Sequence, residues 1–426
     1  MNHLWVLGFY EEVSLKNNRR RVAIFIAFIL VFLLGIFKDS LVLRAQQFFE
    51  EGIIKALLKE KKYNENFYDE EPEFYEKYDY TRNESVKSIK VDDGGDTVIR
   101  YSTSNINGDN LKYEYKIINI SGITLGEEVY EPAIQKSYLG DNYLFYIQRL
   151  ENILYISRVE LPKDGNVIDA SNASRMILNN FGHSQVLEYF SHKDKSYFWI
   201  GCKGSDEDYN WSTQLARVEF VPGKIVDYKS CERLSSISYA NELGTSIGPI
   251  RRVEAALSTD KKYLLIWART YQIDDEEVRS YYKTRFSIYD AKAVNDALDE
   301  NVDTKYLPCT DDKIKSACIS SFEYVPGDLS EDDLRYGSNQ GLEINNAKQI
   351  LLVSESRSKG QSQGKYIYKI NSTGTILSRT SINGYMMGTG SVTEMEGLQI
   401  KKYKTYFALK DYSLDGNIHY LYNINY

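Results

Sequence analysis

One pattern recurs along most of this chain: a short alternating strand, a polar turn, then a strongly apolar strand. It appears as SVKSIKVDDGGDTVIRY (85–101), AIQKSYLGDNYLFYIQ (133–148) and SQVLEYFSHKDKSYFWIGC (184–202). It returns as VEAALSTDKKYLLIWAR (253–269), NQGLEINNAKQILLVSES (339–356) and MEGLQIKKYKTYFALKDY (395–412). The turns carry Asp, Asn, Gly and Lys, the residues that hairpin turns favour. In most units a second pair of strands follows, as at 153–168, 214–228 and 366–382, and 113–130 has the same look. The unit therefore reads as four antiparallel strands. Its apolar strands start at Thr97, Tyr143, Tyr197, Tyr263, Ile350 and Tyr406. Where no insertion intervenes, that is the spacing of about 45–55 residues found in propeller blades. The longest interval holds an acidic, loop-like insertion around 299–335.

A single such unit cannot bury both of its faces, but several arranged round an axis can. The expected fold is all-β, a β-propeller of about six four-stranded blades, with five blades plus an N-terminal extension as the alternative. Abundant Tyr (36) and scarce Pro (7) fit strands throughout. A pair of β-sandwiches is the other all-β solution, but sandwich strands have no need to resemble one another in order. The last unit shows only three clear strands, ending at HYLYNINY (419–426). A strand from the N-terminal part of the domain would complete it and remove an open edge.

Before the repeats, Arg19, Arg20 and Arg21 precede the uncharged run VAIFIAFILVFLLGIF (22–37). As a helix this run would be about 24 Å long, nearly the hydrocarbon thickness of a bilayer. The arginines predict a cytoplasmic N-terminus. A cleaved signal peptide is the competing reading, with secretion as its consequence. The expected organisation is a cytoplasmic segment (1–21), a transmembrane anchor (22–38), an amphipathic stalk helix (39–62), an acidic Tyr-rich linker (63–84) and the propeller (85–426). The domain after the anchor would then lie outside the cell, on the cell membrane.

The first strand of each blade lines a propeller's channel, and its starting residues face one mouth. Here those starts are polar: His183, Gln185, Arg252, Glu254, Gln340, Glu394 and Glu396. Convergent amides and carboxylates suit hydrogen bonding to a polyhydroxylated ligand such as a glycan. The alternative is that they only satisfy one another and channel water. His183 has the side chain for general-base work. Glu254 and Glu396 are the two carboxylates a glycosidase would need. No nucleophile elbow, zinc-protease or phosphate-loop motif accompanies them. No metal or cofactor site is expected. A formal net charge of -8 argues against a general nucleic-acid binder. Cys309 and Cys318 would form a disulfide outside the cell or, with Cys202 and Cys231, remain free thiols.

Six stretches in the same order resemble the helveticin J family of large bacteriocins. They are GHSQVLEYF with YFWIGCKG, WSTQLARVEF, ERLSSISYAN, VEAALSTDKKYLLIWAR, NQGLEINNAKQILLVSES and TEMEGLQIKKYKTYFALKDYS. The resemblance covers roughly 133–426. It departs from the family pattern where that pattern has histidines ahead of the later strands. This chain has Arg252 at one of these places and Val392 or Thr393 at the other. The resemblance implies a bacteriocin-type protein. The expected partner is a bacterial cell-envelope glycan or surface component, recognised without catalysis. The alternatives are a membrane-anchored adhesive or structural module without toxicity, and a glycan-cleaving hydrolase.

Overall fold

The computed structural model describes residues 102–107, 111–125, 128–205, 209–271, 283–324, 338–355, 365–383, 393–411 and 418–425. Five blades are built from them. Blade I is β5 (Ile134–Leu139), β6 (Tyr143–Leu150), β7 (Ile153–Glu160) and β9 (Ser174–Asn179). Blade II is β10 (Glu188–His192), β11 (Lys195–Gly204), β12 (Ser212–Val218) and β14 (Arg233–Ser235). Blade III is β15 (Ile250–Leu257), β16 (Tyr263–Thr270), β17 (Thr284–Asp290) and β19 (Cys318–Tyr324). Blade IV is β20 (Ser338–Ile344), β21 (Ile350–Glu355), β22 (Lys365–Ile370) and β23 (Ile376–Asn383). Blade V is β24 (Thr393–Lys401), β25 (Lys404–Asp411), β26 (His419–Asn425) and β2 (Tyr113–Ile118).

The ring therefore has five blades, and the expectation of six is corrected. The described strands that follow the first repeat are shared out among other sheets. Strand β2 is the fourth strand of blade V, paired antiparallel with β26. This is the N-terminal closure expected of the incomplete last unit. The hairpin of β3 (Ile123–Leu125) and β4 (Glu128–Tyr130) forms a two-stranded sheet of its own. Residues 85–101 lie outside the described residues, as do the anchor, stalk and linker segments. Among the described residues, no helix is long and apolar enough to cross a membrane.

The burial pattern explains why the second strands are almost continuously apolar. In β16, Leu264, Ile266 and Ala268 enter a cluster with Phe190, Trp199 and Leu215 of blade II. The intervening Leu265 and Trp267 face Leu342, Leu352 and Tyr368 of blade IV. Strands alternate faces, so a blade covered on both sides needs apolar residues at every position. Five hydrophobic clusters result, one at each seam between neighbouring blades. The seam that closes the ring joins Ile117, Tyr406 and Leu421 of blade V to Ile134, Leu144 and Tyr146 of blade I.

The second hairpins read from the repeats are only partly formed. Strands β22 and β23 pair as expected. Elsewhere the chain between a blade's third and fourth strands leaves for the preceding blade. There it adds a short parallel strand to the outer edge. β8 (Val167–Asp169) pairs with β2, β13 (Ile225–Asp227) with β9, and β18 (Tyr306–Pro308) with β14. β1 (Ser102–Asn107) pairs with β23 in the same way. Among the described residues, only blade III lacks this fifth strand. At its edge, Tyr324 Oη donates to Gly374 O in the β22–β23 turn at 2.8 Å. α1 (Ala291–Glu300) leads into the expected loop-like insertion, whose described part carries β18, α2 (Asp312–Ala317) and then blade III's own β19. The Asp290 carboxylate caps α1 by accepting from Ala293 N–H. All four cysteines are free thiols, Cys309 fully buried and Cys318 half-buried, so Cys309 and Cys318 are not bridged in this structure.

Candidate functional site

The inner strands meet at the axis through side chains. The segment leading into β10 places His183 beside Trp211: His183 N–H donates to Asn210 O at 2.6 Å, and Ser212 N–H donates to His183 O at 2.9 Å. Gly182 makes this approach possible. Its φ is +77°, and a Cβ there would lie 2.4 Å from both Gly204 Cα and Asn210 O. Two residues beyond His183, the Gln185 side chain reaches the centre. Its Nε2 donates to Gln340 Oε1 at 2.8 Å and to Glu396 Oε2 at 2.7 Å. Its Oε1 accepts from Arg252 Nη2 at 2.5 Å. Arg252 also donates to Glu254 Oε1 at 2.8 Å and to the carbonyl of Asn339 at 2.9 Å. Gln340 Nε2 donates to Glu394 Oε1 at 3.2 Å.

Six of the seven residues singled out in the sequence thus form one bonded network from four blades. Gln185, Arg252, Glu254, Gln340 and Glu396 are buried within it, while Glu394 is partly exposed at its edge. Burial outweighs Arg252 and holds the Glu254 carboxyl above the usual range. Arg252 also lies over the Trp211 indole, its Cζ 3.6 Å from the ring centre. His183 stacks on that same indole at 3.7 Å with a 10° interplanar angle. The two groups must occupy opposite faces, so Trp211 is sandwiched between them.

His183 is the seventh residue, partly exposed and joined to the others through Trp211. Its ring nitrogens face Gln135 Oε1 at 2.5 Å and Arg149 Nη1 at 3.5 Å. A ring that donates to the amide oxygen through Nε2 and accepts from Arg149 through Nδ1 satisfies both contacts. Burial, with Arg149 and Arg252 nearby, pushes the imidazole well below its usual pKa. It is neutral at physiological pH, and its ring nitrogens meet an amide and a guanidinium rather than a nucleophile.

A second polar layer lies deeper in the channel, and the sequence reading missed it. Lys136 of β5 bridges Glu188 of β10 and Glu343 of β20, at 2.9 Å to each. Burial disfavours the ammonium, but the two carboxylates outweigh it and hold Lys136 above its usual range. Burial and the Glu188 charge push Glu343 up to about 8 despite Lys136. Beside this layer, Gln399 of β24 pairs with the backbone of Leu139, accepting at 2.7 Å and donating at 3.2 Å. The signal was present in the repeats. Gln185–Glu188, Gln340–Glu343 and Glu396–Gln399 share a three-residue spacing. In a regular strand that spacing sends side chains to opposite faces. Bulges between Asn339 and Gly341, and between Glu396 and Gln399, restore them to one face in β20 and β24. Among the described residues, no group of three or more His, Cys, Asp or Glu is placed to hold a metal ion.

The family model for bacteriocin helveticin-J matches residues 108–425. The chain belongs to the helveticin J family. This family member is similar to several solved structures at low identity. One is the tail fiber of Staphylococcus aureus phage P68, at 11% identity and a TM-score of 0.44, covering 75% of this chain and 53% of that one. Another is the exo-β-1,3-galactanase of Phanerochaete chrysosporium, at 10% identity and a TM-score of 0.39, covering 72% and 64% respectively. A third is the GH32 β-fructofuranosidase of Bombyx mori, at 13% and 0.31, covering 68% and 58%. The match spans less than two thirds of each of these proteins. No curated protein matches the chain.

Proposed function

We propose that this helveticin J family protein is a bacteriocin-type propeller that recognises a glycan of the bacterial cell envelope at its polar mouth, without catalysis. The observation that carries this reading is the division of labour at the mouth. Gln185, Arg252, Glu254, Gln340 and Glu396 are bonded to one another below the surface. His183 and Glu394, partly exposed, are held by that network and by the Trp211 stack. Polar groups fixed in advance lose little freedom when a ligand arrives, which favours tight recognition of hydroxyl groups. In this reading the ligand touches His183 and Glu394, and the buried five hold them in place. The carboxylates of Glu254 and Glu396 are engaged by Arg252 and Gln185, which supports binding over hydrolysis. The propeller acts outside the cytoplasm, tethered through 22–38 or released from it.

The test is retention of the protein on purified bacterial cell walls. His183→Gln and Glu394→Gln should each weaken retention by about tenfold, the scale of one lost hydrogen bond to a charged or well-oriented group, with unchanged thermal stability. Folded variants retained as strongly as the wild type would overturn the mouth as the binding site. Release of reducing sugar ends by the wild type would favour the hydrolase reading instead.

A further inference from the structure

At the opposite end of the channel, where the inner strands finish, a contiguous aromatic track follows the seam between blades I and II. It starts at Tyr138, whose ring centre is 5.6 Å from that of Tyr189. Tyr189 is 5.5 Å from Phe198, Phe198 is 4.9 Å from Phe145, and Phe145 is 5.4 Å from Phe220. Phe198 is the buried floor, and the other four rings are partly exposed. A cation closes each end. Lys261 Nζ lies 5.6 Å from the Tyr138 ring centre, and Arg158 Cζ lies 5.3 Å from that of Phe220. Arg158 also covers Tyr143 at 4.9 Å. Neither cation is in a salt bridge among the described residues, and both are partly exposed. Hydroxyls edge the track, Tyr189 Oη lying 2.9 Å from the exposed Ser196 Oγ.

We infer that this track is a second binding surface and that its occupant is an anionic glycopolymer of the bacterial wall. The inference rests on the envelope-recognition reading and gives it a separate place and charge. Partly exposed aromatic faces offer broad, rigid contact to the apolar faces of sugar rings at little entropic cost. The chain as a whole is acidic, at -8, and Lys261 and Arg158, each lying near a ring at one end of the seam, supply the positive charge there that an anion would meet. A neutral glycan would leave that complementarity unused. Contiguous rings, each about one sugar unit from the next, suit an extended polymer rather than a small molecule.

The experiment is cosedimentation of the full chain with purified walls, before and after acid stripping of their phosphodiester-linked polymers. Anionic lipid vesicles serve as a second probe. The expected result is strong sedimentation with intact walls, loss with stripped walls, and vesicle binding, through the apolar run 22–37, that is the same for the wild type and the track variants. Arg158→Glu with Lys261→Glu should weaken wall binding at least about tenfold, as paired charge reversals at a recognition surface do. Tyr189→Leu, which keeps the apolar packing and removes the ring, should weaken it as well with little change in melting temperature. If the folded track variants bind intact walls normally while the His183 or Glu394 variants do not, the track is overturned and the mouth stands. Vesicle binding that falls in the track variants while their wall binding is unchanged would overturn the glycopolymer in favour of a lipid surface. No sedimentation of the wild type with any wall would overturn both readings.

Discussion

At the residue scale, the channel is a set of charges that only make sense in company. Lys136 stands alone between two buried carboxylates, so the deeper layer would carry net negative charge if both were ionised. Glu343 relieves this by holding its proton up to about 8. A carboxyl whose pKa is raised on folding contributes stability that is fully present below the unfolded value and is lost as pH rises through the folded value. Wild-type stability should therefore fall between about pH 4.5 and 8 through this group. The partly exposed His183 and the buried His419 act in the opposite sense, because their lowered pKa values make stability rise with pH up to about 6.5. Comparing wild type with Glu343→Gln isolates the carboxyl. The difference in melting temperature between them should move in favour of the variant as pH climbs across that window. A difference independent of pH would contradict the assignment. The mouth residues were legible in the sequence because polar side chains open otherwise apolar repeats. Lys136 and Trp211 were not. Lys136 looks like any strand lysine until its partners arrive from blades II and IV, and Trp211, just ahead of β12, gains its role only when the bridge to His183 brings the two rings together.

At the element scale, closure depends on strand β2, which is far in sequence from the blade it completes. Its Ile117 is fully buried in the seam between blades V and I. Ile117→Ala should cost about 2–5 kcal/mol, the range for a large apolar side chain removed from a packed core. Chemical denaturation measures this, and a loss under about 1 kcal/mol would mean that the closing seam is looser than it looks. Close backbone approach also holds blades IV and V together: a Cβ on Gly341 would meet Gly397 C and Leu398 N at 2.8 Å. The missing strand of the last repeat showed in the sequence that something must close the ring. The parallel edge strands β1, β8, β13 and β18 did not show. Three of them have only three residues, too short for a period, and their parallel partners lie in a neighbouring blade. That is also why the 153–168 and 214–228 segments resembled hairpins. A polar turn followed by a few apolar residues looks the same whether the strand folds back or crosses to the next sheet.

At the scale of the whole molecule, five seams of similar construction make the ring a rigid carrier with two ends of different chemistry. One end presents His183 and Glu394 over a bonded polar network, and the other presents an aromatic seam flanked by Lys261 and Arg158. The blade count was over-read by one because the first repeat has the look of a blade. Its strand β2 is taken up by blade V and its strand β1 by the edge of blade IV. Family membership over 108–425 agrees with the stretches of sequence that resembled it. The central claim, that this chain recognises the envelope of bacterial cells, is tested most directly on living bacteria. The full chain would be incubated with Gram-positive cells, and its cell-bound fraction and the number of survivors would be followed over time. The account expects the protein to accumulate on the cells and survivors to fall as it does. Folded protein left in the supernatant, with viability unchanged, would contradict it.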